Sequence, residues 1–145
     1  MGVGQAGINP AAIETHLDTL SDMSRVLEKR EREVLEAMIT FAGDFDVTIG
    51  VPETSRQRWL AEVANTRVGD RCGCGECPSI ELEDVVRGAP SIKRYRFVLS
   101  AATTDALILL FIDDGQLCYL ELARIDLNSS GTTEFPPVQS LDFTR

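Results

Sequence analysis

Three thiols fall within six residues, at Cys72, Cys74 and Cys77, in the string Cys72-Gly73-Cys74-Gly75-Glu76-Cys77-Pro78. Thiolates at C-x-x-C spacing can share one zinc ion, and glycine between them permits the tight turn that this requires. Cys72 adds a third sulfur. A closed tetrahedral site needs a fourth donor, and the remaining cysteine, Cys118, stands far downstream in an apolar segment. Cys72, Cys74, Cys77 and Cys118 together define one expectation, a zinc-stabilised structural or regulatory module. Redox use of the C-x-x-C pair would need a thiolate held at a helix N-terminus, whereas Pro78 and a strand pattern follow here. The favoured reading is a Gly-rich turn whose cysteines are small buried residues in a reducing compartment, with no cofactor.

Other catalytic signatures are missing from the sequence. It has no phosphate loop, no dinucleotide fingerprint and no G-x-S-x-G elbow. A cysteine nucleophile would need a base, and the single histidine, His16, sits between Ile13 and Leu17 at helical spacing, as a surface or interhelical residue does. Asp113 and Asp114 are explained by a turn. Lys93, Arg94 and Arg96 make a small basic patch beside Tyr95 and Phe97, against a net charge of −9. The chain is therefore read as non-enzymatic.

Charge then points to the partner. Acidic side chains outnumber basic ones 23 to 14, which disfavours nucleic acid and anionic lipid and favours a basic protein. The contact residues expected are Glu28 and Glu31 on a charged helix, and Glu81, Glu83 and Asp84 on a solvated strand edge. Carboxylates presented this way can occupy a cationic cleft, so the concrete form of the reading is an immunity or antitoxin-type inhibitor of a basic toxin. The longest apolar run, Ala106 to Ile112, is far shorter than the ~20 residues of a membrane-crossing helix. The first residues carry neither a positive start nor an apolar stretch, so the chain reads as cytoplasmic.

These groups need elements to hold them. With 145 residues and 43% apolar content, the chain suits one domain. The reading is a flexible start over 1–9, one α+β domain over 10–126, and a turn-rich tail over 127–145. Asn9-Pro10 suits a helix start, and Ser24 is placed to cap a second helix whose apolar positions are Leu27, Val34, Leu35, Met38 and Ile39. A third helix follows Thr54 or Ser55, with Trp59, Leu60 and Val63 inward. Beyond it the period changes to two, giving N-terminal helices packed on an antiparallel sheet of about four to five strands. The hairpin from Ala106 to Ile125 turns at Asp114-Gly115, as a type I′ turn that pairs Asp113 with Gln116. That register sets Phe111 opposite Cys118, Leu109 opposite Leu120 and Leu107 opposite Leu122 on the core face. The other face, through Ile108, Leu110 and Tyr119, must also be covered, either by the N-terminal helices and the C-terminal tail, the favoured reading, or by a second copy in a homodimer. Phe135, Leu141 and Phe143 are the residues able to tether the tail.

The segment Val68–Leu82, with its string Arg71-Cys72-Gly73-Cys74-Gly75-Glu76-Cys77-Pro78-Ser79-Ile80, resembles one found in small uncharacterised bacterial proteins. There a short helix leads to a Gly/Cys turn and a strand, and a hairpin similar to Ile112–Leu117 follows. The resemblance covers roughly residues 25–125, implies the α+β layout, and carries no activity.

Overall fold

A computed structural model of the chain describes residues 24–45, 50–71, 77–88, 97–113, 115–125 and 134–143. The helix expected after Asn9-Pro10, His16, Cys72, Cys74 and the basic patch at Lys93, Arg94 and Arg96 lie outside the described residues.

The strands are β1 (Arg25–Val26), β2 (Gly43–Asp44), β3 (Thr66–Arg71), β4 (Ile80–Asp84), β5 (Phe97–Ala102), β6 (Ala106–Asp113) and β7 (Gln116–Arg124). They form one seven-stranded sheet in the order β1-β3-β4-β7-β6-β5-β2, antiparallel at each pairing. The expectation of four to five strands is therefore too small. What it misses are the two-residue edge strands, too short to leave a period in the sequence. Short edges also limit pairing with another chain. The helices α1 (Lys29–Phe41) and α2 (Glu53–Glu62) do not precede the sheet but alternate with those edge strands.

Helix α1 begins later than Ser24 because Arg25 and Val26 pair with Val68 and Arg67 of β3. Glu28 caps the helix instead, and its backbone N–H donates to the Glu31 carboxylate at 2.8 Å in a capping box. The apolar stripe then buries Val34, Leu35, Met38 and Ile39 completely against the sheet. Helix α2 places Trp59 in the same core, edge-on to Phe97 with ring centroids 5.1 Å apart. Arg56 of α2 donates to the carbonyl of Ile39 at 2.9 Å, satisfying one of the acceptors that a helix C-terminus leaves open. Burial of that guanidinium pulls its pKa down.

The hairpin keeps the expected Asp113–Gln116 pair but not the expected faces. Pairing runs from Ile112↔Leu117 to Phe111↔Tyr119, so Cys118 is the extra residue of a β-bulge. Leu110 now meets Leu120, and Ile108 meets Leu122. A one-residue slip exchanges the faces of a strand. Ile108, Leu110 and Ile112 are fully buried beneath the helices, whereas Leu107, Leu109 and Phe111 are half-buried on the opposite side. The homodimer surface through Ile108, Leu110 and Tyr119 does not exist as drawn, since the first two are core residues and Tyr119 faces away from them. Asp114, the first central residue of the expected type I′ turn, lies outside the described residues.

The chain closes with Phe135, buried under the first turn of α1, and a short 3₁₀ turn at Val138–Ser140. Asp142 then bridges Ala102 of β5. Among the described residues, no helix is long and apolar enough to cross a membrane.

Candidate functional site

The five carboxylates expected to face a partner separate into two groups. Glu31 is buried, and its oxygens receive the Arg25 guanidinium at 2.9 and 2.8 Å as well as the Glu28 N–H. That bond, outweighing desolvation, raises the pKa of Arg25. Glu31 thus joins β1 to the start of α1 rather than waiting for a partner. Glu83 is buried as well, and its carboxylate lies across the backbone of Gly69 in β3. Asp84, also buried, accepts the N–H groups of Val86 at 2.7 Å and Arg87 at 3.0 Å. The surface set shrinks to Glu28, which is exposed, and Glu81, which is half-buried opposite Tyr119. The sequence pattern fails here because an acidic residue in period-2 alternation reads as solvated unless its partner is visible.

Asp84 belongs to a structural cluster. Arg87 Nη2 reaches Glu62 at 2.7 Å and Asp84 at 3.5 Å. Desolvation, and then the hydrogen bond with Asp84, push the Glu62 carboxyl above its usual range. At Asp84 burial acts in the same direction but is outweighed. The Arg87 N–H, the Glu62 carboxyl, the Val86 N–H and the Arg87 charge hold Asp84 below its usual range. The arrangement pins a turn in which Asp84 and Gly88 exchange backbone hydrogen bonds, and Gln116 Nε2 donates to the Gly88 carbonyl at 3.0 Å. Gly88 is needed at that bend for its φ of 79°. The cluster thus fastens the β4–β5 connection to the end of α2.

Of the expected cysteine set, Cys77 and Cys118 are described. The Cys77 thiol donates to Ser79 Oγ at 3.4 Å, and the same oxygen accepts the Leu122 N–H at 3.0 Å. Cys118 is buried at the bulge, donating to the Gln116 carbonyl at 3.4 Å. Strands β4 and β7 pair through Ile80↔Leu120 and Glu81↔Tyr119, so one further step sets Cys118 near Leu82. Cys77 lies five residues before Leu82, which is about 16 Å of extended chain. Zinc–sulfur bonds of about 2.3 Å cannot join two such positions. Cys118 is thus placed further along the sheet than Cys77, with Gln116 rather than Ser79 as its neighbour. Among the described residues, no group of three or more His, Cys, Asp or Glu side chains is arranged to hold a metal.

Among the described residues, two of the recesses form beside the C-terminal segment. A groove of about 450 Å³ runs between the outer side of α1 and the 3₁₀ turn, lined by Glu33, Glu36, Ala37, Thr40, Phe41, Val138 and Gln139. Phe41 is 62% exposed there and stacks obliquely on Phe143 at 5.6 Å. Glu33 is engaged only loosely by Lys29, at 3.8 Å with both ends in solvent. Glu33 and Glu36 lie on the charged helix, Glu28 to Glu36, that the sequence offers as a contact surface. A solvated helix face and a recognition face carry the same pattern, and the folded-back tail is what makes this one concave. The second recess, of about 430 Å³, lies between Arg30, the β5–β6 turn, the end of β7 and the segment Glu134–Ser140. The chain matches no family model, no curated protein and no solved structure.

Proposed function

We propose that this chain is a non-enzymatic, cytoplasmic protein-binding domain that receives a basic partner along the outer side of α1. Inhibition of a basic toxin, as an immunity protein or antitoxin does, is its most concrete form. The observation that carries the reading is the groove of about 450 Å³, which joins the carboxylates of Glu33 and Glu36 to the apolar surface of Ala37, Phe41 and Val138. A lysine or arginine side chain needs both features, since its methylene stem packs on apolar surface while its charge seeks a carboxylate. Exposure of an aromatic ring beside acidic side chains suits an interface anchor. The overall charge of −9 supports the same polarity of partner by steering basic proteins toward the chain. Relative to the sequence reading, the contact moves from Glu31, Glu83 and Asp84 to Glu33, Glu36 and Phe41, with Glu28 at the near end of the helix.

The test is co-expression with the product of the adjacent gene, followed by affinity capture and a growth-protection assay. The expected outcome is a basic protein retained at low salt and released at high salt, with both retention and protection reduced in the double variant Glu33→Gln/Glu36→Gln. Capture and protection that ignore this variant, or no basic partner at all, would remove the proposal.

A further inference from the structure

The second recess has a different chemistry from the groove. Its wall is apolar where Leu122, Phe135 and Pro136 meet, and its charged groups are Arg30, Arg124, Asp105 and Glu134. Arg30 stands in the first turn of α1. Its Nη1 donates to the Phe135 carbonyl at 2.7 Å, which fixes the guanidinium against the wall. Among the described residues, no carboxylate pairs with it. One acceptor satisfies only a fraction of the five donors that a guanidinium carries, and the planar fork is shaped to take a carboxylate through two parallel bonds. Burial of Phe135 and the fixed φ of Pro136 preorganise the apolar side. The volume of about 430 Å³ falls within the range of small-molecule sites.

From this geometry we infer that the cleft is a binding site for a small monocarboxylate with an apolar body. The carboxylate sits on Arg30 and the body rests on Leu122, Phe135 and Pro136. A single negative charge is indicated because Asp105 and Glu134 also line the cleft and balance Arg30 and Arg124, so the lining has no net positive charge to hold a multiply charged anion such as phosphate. Asp105 already holds the Thr103 hydroxyl at 3.3 Å, so one edge of the cleft is ordered without ligand. The site uses none of the groove residues, so its failure and that of the protein-binding reading are distinguishable.

The experiment is an amide and arginine-Nε NMR titration of the full chain with phenylacetate, run beside phenethylamine as the equally sized cation and inorganic phosphate as the compact anion. Phenylacetate is expected to shift Arg30 Nε, residues 103–106 and residues 135–140, with affinity well above that of either control. Arg30→Met should weaken it by about tenfold or more, the range for losing a charge-assisted hydrogen bond. Arg30→Met also removes the bond to Phe135, so Asp105→Asn serves as the second variant. It deletes a repelling charge without touching that bond and should tighten phenylacetate about twofold to threefold, given solvent screening. The inference is overturned by phenethylamine or phosphate binding as tightly as phenylacetate, by shifts located elsewhere or none, by unchanged affinity in a folded Arg30→Met, or by weaker binding in Asp105→Asn.

Discussion

Replacing Gly69 by alanine tests whether Glu83 is folded over strand β3 as described. A Cβ at position 69 would fall closest to Glu83 Oε2, and 2.8 and 3.1 Å from its Cδ and Cγ. The φ of Gly69 lies outside the left-handed region, so its backbone imposes no demand for glycine. The three nearest obstructing atoms all belong to the Glu83 side chain. Glu83 is 3% exposed, so its side chain has little room in which to swing aside. Inserting atoms into packed surroundings costs about 1–3 kcal/mol, while removing glycine from the unfolded chain returns about 0.4–1 kcal/mol. Gly69→Ala should therefore destabilise by about 1–2 kcal/mol, which for a domain of this size lowers Tm by about 3–6 °C. In a Glu83→Ala background the same substitution meets no carboxylate and should be neutral or stabilising by about 0.5 kcal/mol. The coupling in the double-mutant cycle is then about 2 kcal/mol, within the range for residues in contact. Urea unfolding followed by the fluorescence of the single tryptophan, Trp59, measures all four chains, and an unchanged slope confirms that stability alone has moved. Equal costs of Gly69→Ala in both backgrounds would refute the argument.

Trp59 is fully buried and edge-on to Phe97, so Trp59→Ala should cost about 3–5 kcal/mol, read as a large loss of thermal stability by circular dichroism. The Glu62–Asp84 pair predicts opposite pH dependences. Glu62, raised in the folded state, contributes stability below the ordinary glutamate range that is lost as pH rises through its raised value. At neutral pH Glu62→Gln should match the parent or exceed it by up to about 0.5 kcal/mol, a small figure because Glu62 is only partly buried and also meets Arg87, and the advantage should vanish on acidification. Asp84, depressed in the folded state, contributes stability above the ordinary aspartate range that is lost as pH falls through its depressed value. Asp84→Asn should therefore cost about 1 kcal/mol near neutrality and progressively less in acid, measured by urea unfolding across pH. For the cysteines, any zinc found by metal analysis should be unchanged in Cys118→Ser, whose hydroxyl can still donate to the Gln116 carbonyl. Loss of zinc in that variant would show that Cys118 is a ligand after all.

What the sequence conveys depends on whether a signal is local. Helix α1 was legible from its apolar spacing, yet its start was not, because the cap at Glu28 follows from Arg25 and Val26 pairing with β3. The hairpin was legible as far as the Asp113–Gln116 pair. Beyond that, both faces of β6 are apolar, so hydrophobic pattern had no means of choosing Ile108, Leu110 and Ile112 over Leu107, Leu109 and Phe111 for the core. The choice is made at Cys118, where one unpaired residue shifts all later pairs. A bulge at such a position leaves no mark in composition, since cysteine is as acceptable in a small buried site as in a regular strand.

The same distinction governs the carboxylates. Net charge is a sum, and it does not say which acids are already engaged. Glu31, Glu83 and Asp84 contribute to the −9 but are buried within the fold. Of these, Glu31 is held by Arg25, and Asp84 by the backbone of Val86 and Arg87. An acid buried and hydrogen-bonded in this way steers a partner weakly and cannot leave its site without exposing a cation or an unsatisfied N–H. Glu33 and Glu36 have neither constraint, and the adjacent Phe41 supplies apolar area that a purely electrostatic encounter lacks. A basic partner gains most where a carboxylate need not first give up a bond. That is why the groove on α1, rather than the more acidic string at Glu81 to Asp84, is the surface on which the protein-binding proposal should stand or fall.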